Sequence, residues 1–300
     1  MLQVNSSFDT QSAFLVPGPI YFVCCWVNHI GHIIMDMLVP AVLSVLDAGL
    51  SPSHLQYVVD NRFTFPYGSN HTILTAIQSF TGQQALPLKH YIDAASAAGK
   101  TAVCFTEFVA GMRRFDLLPE QPASYITRND MVLIREMYMR KFMTVDDVGQ
   151  MIKARTLVIE QRKQGRTICN LESMLSMIKK TLDTTVWNVH VLAFEEHTLD
   201  QQFALLARTD IFISVAGTGS HLSLFLPSQS VAVVVTSRLV RNVNARVCRF
   251  SPYTCIQVNA TCCENEAKLC NRNSAVFVDM HGMEQQLLQA VARVNVSRTN

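Results

Sequence analysis

No stretch of this chain reaches the ~18 uninterrupted apolar residues of a membrane-spanning helix. The greasiest region, Phe14 to Leu46, is broken by Pro17, Asn28, His29, His32, Asp36 and Pro40, so no membrane span is expected within the chain. The opening residues, MLQVNSSFDTQ, lack the basic start and apolar run of a signal peptide, so secretory targeting would have to precede them. Charge is scarce as well. Only 16% of residues are charged and the formal net charge is +2, with no Lys/Arg block and no interleaving of aromatic and basic residues. That pattern excludes a nucleic-acid groove, so nucleic acid is not an expected partner. There is no internal repeat and no low-complexity tract. A G-x-S-x-G nucleophile turn and a nucleophilic cysteine motif are also missing, which ranks a hydrolase built on His32 and Asp36 behind other readings.

What is present suits a well-packed globular protein: 49% of the 300 residues are hydrophobic, enough for roughly two domains. Nine cysteines are many for a cytosolic enzyme, and five of them, Cys248, Cys255, Cys262, Cys263 and Cys270, crowd into one polar stretch. Structural zinc wants close C-x(2–4)-C pairs that supply two tetrahedral ligands from one knuckle, and this spacing does not provide them. Disulfide staples of a loop fit better. Sequons at Asn5, Asn70, Asn259 and Asn295 agree with a glycosylating, oxidising lumen of the endoplasmic reticulum or Golgi. Buried free thiols and chance sequons are the competing explanation, so a cytoplasmic location stays open.

Short β-branched runs alternate with helical patterns. YFVCCWV precedes a helix from about His29, LQYVVD precedes a helix over 72–80, and TAVCFTEFVAG follows. After a polar bridge over 118–129 and a charged helix over 131–142 the rhythm restarts. TLVIEQ precedes a helix over 170–182, VWNVHVLAF one over 199–208, DIFISVAG one over 220–225, and VAVVVTS and AVFVDM are further strands. Apolar strands alternating with helices predict parallel sheets covered on both faces, hence an α/β fold of two doubly wound domains with ligands at the strands' carboxyl ends. The expected divisions are 1–145, 146–280 and a final helical segment, 281–300, free to pack back across the domains.

Four segments are candidates for chemistry. After the strand starting at Asp210 comes Ala216-Gly217-Thr218-Gly219-Ser220-His221, a small-residue turn that lets backbone approach a ligand while a helix N-terminus faces it, which suits a diphosphate. Tight strand-to-helix packing would need the same glycines. Upstream, Arg162 and Arg166 lie in a loop between a strand end and a helix start, where guanidinium forks can hold phosphate oxygens; a solvated basic loop is the alternative. Between these, Thr198 and Gln201 have capping-box spacing, so Gln201 has a purely structural option. In the first half, His29, His32 and Asp36 fall at i, i+3 and i+7 of an apolar helical segment, one face, where polar groups need partners or a cleft. An internal satisfied His–Asp pair would meet the same requirement.

In this order the segments resemble glycosyltransferase family 61, over about Trp26 to Val235. Gly31, His32, Asp36 and Pro40 match its first-domain pattern, with His29 where asparagine is usual; Cys104, Phe105, Val109 and Gly111 match a following strand. Arg162, Arg166, Ile168 and Asn170 match its donor loop, with Glu172 shifted one place. Gln201 matches its glutamine, and Asp210, Gly217, Gly219, Phe225 and Pro227 its last element. Ala216 stands where the family has histidine and Ser220 where it has leucine.

The resemblance implies a GT-B-like fold, two Rossmann-like domains facing a cleft, with acceptor contacts in the first and donor contacts in the second. It also implies inverting transfer of a sugar such as GlcNAc or xylose from a UDP-sugar to a hydroxyl of a glycan or glycoprotein. Arg162, Arg166, Asn170, Gln201, Gly217, Thr218, Gly219, Ser220 and His221 are the expected donor contacts. No cofactor beyond the donor and no metal is expected, since no D-x-D-like motif sits where a strand would present it to a diphosphate. His32 is the expected general base, oriented by Asp36, because a sugar hydroxyl needs its proton removed as the bond forms; Asp36 as base is the alternative. Ala216 and His29 also motivate a second reading, a family paralogue that binds a glycan, nucleotide or protein without transfer.

Overall fold

The computed structural model describes residues 11–24, 33–60, 70–109, 126–142, 154–237, 248, 251, 253–263 and 274–299. His29, His32, Gly111 and Cys270 lie outside them. The chain divides into two compact units, 1–125 and 126–300. Both are mixed α/β with parallel sheets.

In the first unit, β1 (Ala13–Cys24), β2 (Gln56–Asp60), β3 (Ala85–Pro87) and β4 (Ala102–Val109) form a parallel sheet in the order β3-β2-β1-β4. The Pro17-Gly18-Pro19 sequence interrupts β1. Its register against β4 shifts between Val16 and Pro19, where Gly18 takes a φ of 92°. A proline has no N–H for the ladder and Gly alone accepts that φ cheaply, so a bulge forms there. On one face Val16, Ile20 and Val58 pack with Tyr91 of helix α3 (Leu88–Ala97), whose ring meets Phe105 edge-on at 5.8 Å. Helix α2 is Asn70–Thr81.

A π-helical turn, Ile33–Leu38, leads into α1 (Val39–Asp47). The helix expected from about His29 is thus present over its described residues, but it opens with π-helical winding. Pro40 cannot donate a backbone hydrogen bond to the preceding turn, so the winding changes where it enters. Asp36 lies on the π-helical turn. Strand β3 and helix α3 had no counterpart in the sequence reading. The strand is three residues long, and the buried stripe of α3 is only Tyr91 and Ala95, too sparse to show as periodicity.

The second unit opens with α4 (Arg128–Phe142), then β5 (Arg155–Glu160), α5 (Leu171–Thr181), β6 (Trp187–Leu192), α6 (Leu199–Leu206), β7 (Ile211–Val215), α7 (Thr218–Leu222), β8 (Val231–Thr236), β9 (Thr254–Cys262), β10 (Val276–Val278) and α8 (Met280–Thr299). The strand order is β10-β9-β8-β7-β5-β6, parallel except for β9 against β10. Side chains alternate across it. Leu157, Ile159, Ile211, Ile213, Val233 and Val235 face Met174 and Ile178 of α5 and Met283, Leu287 and Ala290 of α8. On the other face Phe212 stacks on Phe194 at 5.8 Å, and Phe203 of α6 meets Phe225 and Phe142 of α4. Helix α8 thus packs on this unit's own sheet.

Strand β9 corrects the reading of a cysteine-rich loop. Ile256, Val258 and Ala260 are buried, with Gln257, Asn259 and Thr261 exposed between them: the alternation of a half-covered strand. Cys255 and Cys262 are therefore strand residues.

Candidate functional site

Strand β5 lies between β6 and β7, so the chain leaves it in one direction through α5 and returns on its other side after α6. The carboxyl ends of β5 and β7 therefore flank a topological switch point, the place where diverging loops leave ligand crevices in sheets of this kind. The loop after β5 carries Arg162 and Arg166, and the loop after β7 carries Gly217 and Gly219. Sequence-distant segments meet here because of strand order alone.

The first loop is anchored at its far end. Gln161 reaches across it, its side-chain oxygen accepting from Ile168 N–H at 3.1 Å. Ile168 bridges to Val276, and Cys169 is disulfide-bonded to Cys263 at the end of β9. Asn170, buried, donates to the Val278 carbonyl and accepts from its N–H, both at 2.9 Å, as a neighbouring strand would. Residues 162–166 are left as an arch that turns at Gly165, φ 70°. Arg166 donates to the Ala216 carbonyl. Arg162 pairs with Glu195 at 3.6 Å, and Lys163 with Glu196.

Both guanidinium groups converge on Gly217. A Cβ placed there would lie 2.5 Å from one nitrogen of Arg166 and 3.7 Å from one of Arg162. At Gly219 a Cβ would fall on the Glu160 carboxyl. The space that each glycine vacates is thus filled by a side chain from the β5 end. Ser220, fully buried, accepts from Gly217 N–H at 3.1 Å and donates to the Gly217 carbonyl at 2.6 Å, closing the turn. Helix α7 is five residues long and runs directly into a 3-10 turn, Ser223–Phe225, so the helix expected over 220–225 is present, begins two residues earlier and ends in a tighter winding. With so short a dipole, positive charge at this crevice comes chiefly from the two arginines.

Of the other expected contacts, Gln201 closes a capping box on α6, its side chain accepting from Thr198 N–H at 2.9 Å. His221 is half-buried on α7. The side chains of Thr218 and Asp36 lie outside the described ones, as does all of His32. Glu160 had no role in the sequence reading. It ends β5, is 4% exposed, and one of its carboxyl oxygens has no hydrogen-bond partner among the described residues. Burial pushes its pKa up to about 7, against the opposing pull of Arg162 and Arg166 and with a further push from Glu195. The available signal was a charged residue closing an otherwise apolar strand run.

The cysteines pair in part as expected. Cys248 bonds to Cys255 and Cys263 to Cys169, outside the late cluster, and Cys262 is also disulfide-bonded, whereas Cys104 is a free thiol. Among the described residues no helix is long and apolar enough to cross a membrane.

No curated protein matches the chain in sequence. A glycosyl transferase family 9 structure from Veillonella parvula DSM 2008 aligns with 93% of this chain and 97% of its own at 11% identity and a TM-score of 0.33, too low to establish a shared fold. The family model described as Glycosyltransferase 61 matches residues 30–234. That match covers more than half of the chain and takes in the β5 arch and the β7 turn, so the chain belongs to glycosyltransferase family 61 and is a glycosyltransferase.

Proposed function

We propose that this glycosyltransferase moves a sugar from a UDP-sugar to a hydroxyl of a glycan or glycoprotein with inversion, without a metal, in the lumen of the secretory pathway. The observation that carries the donor reading is the convergence of Arg162 and Arg166 on Gly217 at the β5–β7 switch point. Two fixed cations there match the charge that a departing diphosphate gains as the anomeric carbon–oxygen bond breaks. Of the remaining expected donor contacts, Asn170 and Ser220 serve by holding the arch and the turn, and Gln201 by capping α6. His221 and Thr218 belong to the turn itself. The two units supply the two domains of a GT-B-like enzyme on this reading. In the first, His32 takes the proton of the acceptor oxygen as it attacks, and Asp36 orients the imidazole. The electron pair of the broken bond leaves with UDP. The disulfides, together with exposed sequon residues Asn259 and Asn295, support the lumenal assignment.

A UDP-sugar hydrolysis panel tests the reading. Turnover is expected with at least one donor, with Arg166→Ala weakening UDP binding roughly 30- to 1,000-fold, the loss of about 2–4 kcal/mol for one charge-assisted contact. His32→Ala is expected to cost roughly 10²–10⁴-fold in transfer while UDP binding persists. Unchanged UDP affinity with both arginines replaced removes the donor site from this crevice.

A second reading, a binder without transfer, rests on Ala216. It is fully buried, and its backbone is engaged by Arg166 on one side and by the Val235 carbonyl at 2.8 Å on the other, where the resemblance places a histidine. UDP binding without turnover on any donor would select it.

A further inference from the structure

The charged group placed deepest at the β5–β7 crevice is an acid, not a base. Glu160 ends β5 with its carboxyl against Gly219, buried, one oxygen lacking a hydrogen-bond partner among the described residues. A carboxylate in that position forfeits hydration without a full replacement. The groups facing it are Arg162 and Arg166 on the arch and Glu195 on the 3-10 turn Phe194–Glu196, with Lys163 and Glu196 paired one step outward. His221 is the titratable residue of α7. A diphosphate held by the two arginines would bring two negative charges to within a few ångströms of this carboxyl and occupy the cations that now favour its ionised form.

Resting on the donor reading above, we propose that Glu160 is a residue of the donor pocket that takes up one proton when a nucleoside diphosphate sugar binds, and as a neutral carboxylic acid donates a hydrogen bond toward the phosphoryl oxygens. Like charges at one site cannot both persist at low dielectric, and the carboxyl is the one that can become neutral. Protonation turns its orphaned oxygen from an unmatched acceptor into a donor. The balance is simple: one proton moves from solvent to the Glu160 oxygen, and no bond of the sugar donor changes.

The experiment is titration calorimetry of the full chain with UDP-GlcNAc, UDP-xylose and UDP-glucose in two buffers of different ionisation enthalpy. These diphosphate diesters keep their full charge near neutrality and take up no proton themselves. With the free carboxyl half-protonated near pH 7, binding there takes up about half a proton, and Kd rises about tenfold from pH 6 to pH 8. Glu160→Gln, which is neutral at any pH, abolishes the uptake, flattens the pH dependence and binds about tenfold tighter than wild type at pH 8. Wild-type binding with no proton uptake and equal Kd at both pH values overturns the proposal, and so does an uptake that survives in Glu160→Gln. Failure of every sugar nucleotide to bind, or binding indifferent to Arg162→Ala with Arg166→Ala, overturns the donor reading instead and this inference with it.

Discussion

Glu160 and Gly219 form a steric pair, because the carboxyl of one lies where a side chain of the other would begin. Gly219→Ala should overpack the crevice floor and cost about 1–3 kcal/mol, and Glu160→Ala in the same chain should restore most of that loss. Urea unfolding of the two single variants and the double variant reads the coupling; strictly additive effects would mean the two do not share this space. The same carboxyl sets a pH dependence. Burial raises its folded pKa to about 7 from the ordinary 4.5 of an exposed glutamate, so folding binds a proton between those values. The stability it confers is full below about pH 4.5 and is lost as pH rises through 7. Glu160→Gln should therefore gain on the order of 3 kcal/mol over wild type at pH 8 and almost nothing at pH 4. Melting temperatures at the two pH values check this.

At the scale of elements, the β5 arch is positioned by a residue expected to touch the donor. Asn170 binds both main-chain groups of Val278, so Asn170→Ala would strand a buried N–H and C=O on β10. That should cost about 2–4 kcal/mol, with any loss of UDP affinity following from a displaced arch. Asn170→Asp restores only the acceptor and should recover part of the stability, as thermal unfolding would show. The Cys169–Cys263 bond ties the same arch to β9. Helix α7 makes the complementary point. The glycine turn before it needs its glycines to admit Arg166 and Glu160, rather than to free a long helix dipole.

At the scale of the whole molecule, the cysteines bear on where the protein matures. In unreduced protein from a secretory host, Cys104 should alkylate after denaturation, whereas Cys169, Cys248, Cys255, Cys262 and Cys263 should not. Peptide mass spectrometry decides it, and alkylation of all six would remove the support for a lumenal enzyme.

Strands β2, β5, β7 and β8 and their parallel arrangement were legible in sequence, because strands buried on both faces must be largely apolar and the helices between them are amphipathic; the edge strand β6 was legible from its alternating Trp187, Val189 and Val191. The order of motifs sufficed for the family. The sequence also marked Arg162, Arg166, Gly217 and Gly219, since few residue types can bind phosphate or leave room beside a backbone. It could not say what fills that room. Strand order brings the ends of β5 and β7 together across some fifty residues, and only that juxtaposition sets Glu160 against Gly219 and Arg166 against Gly217. The resemblance placed Asn170 among the donor contacts, and an asparagine amide can equally serve a strand edge. What that amide holds was decided by the tertiary structure, which places Val278 beside it with both main-chain groups in reach.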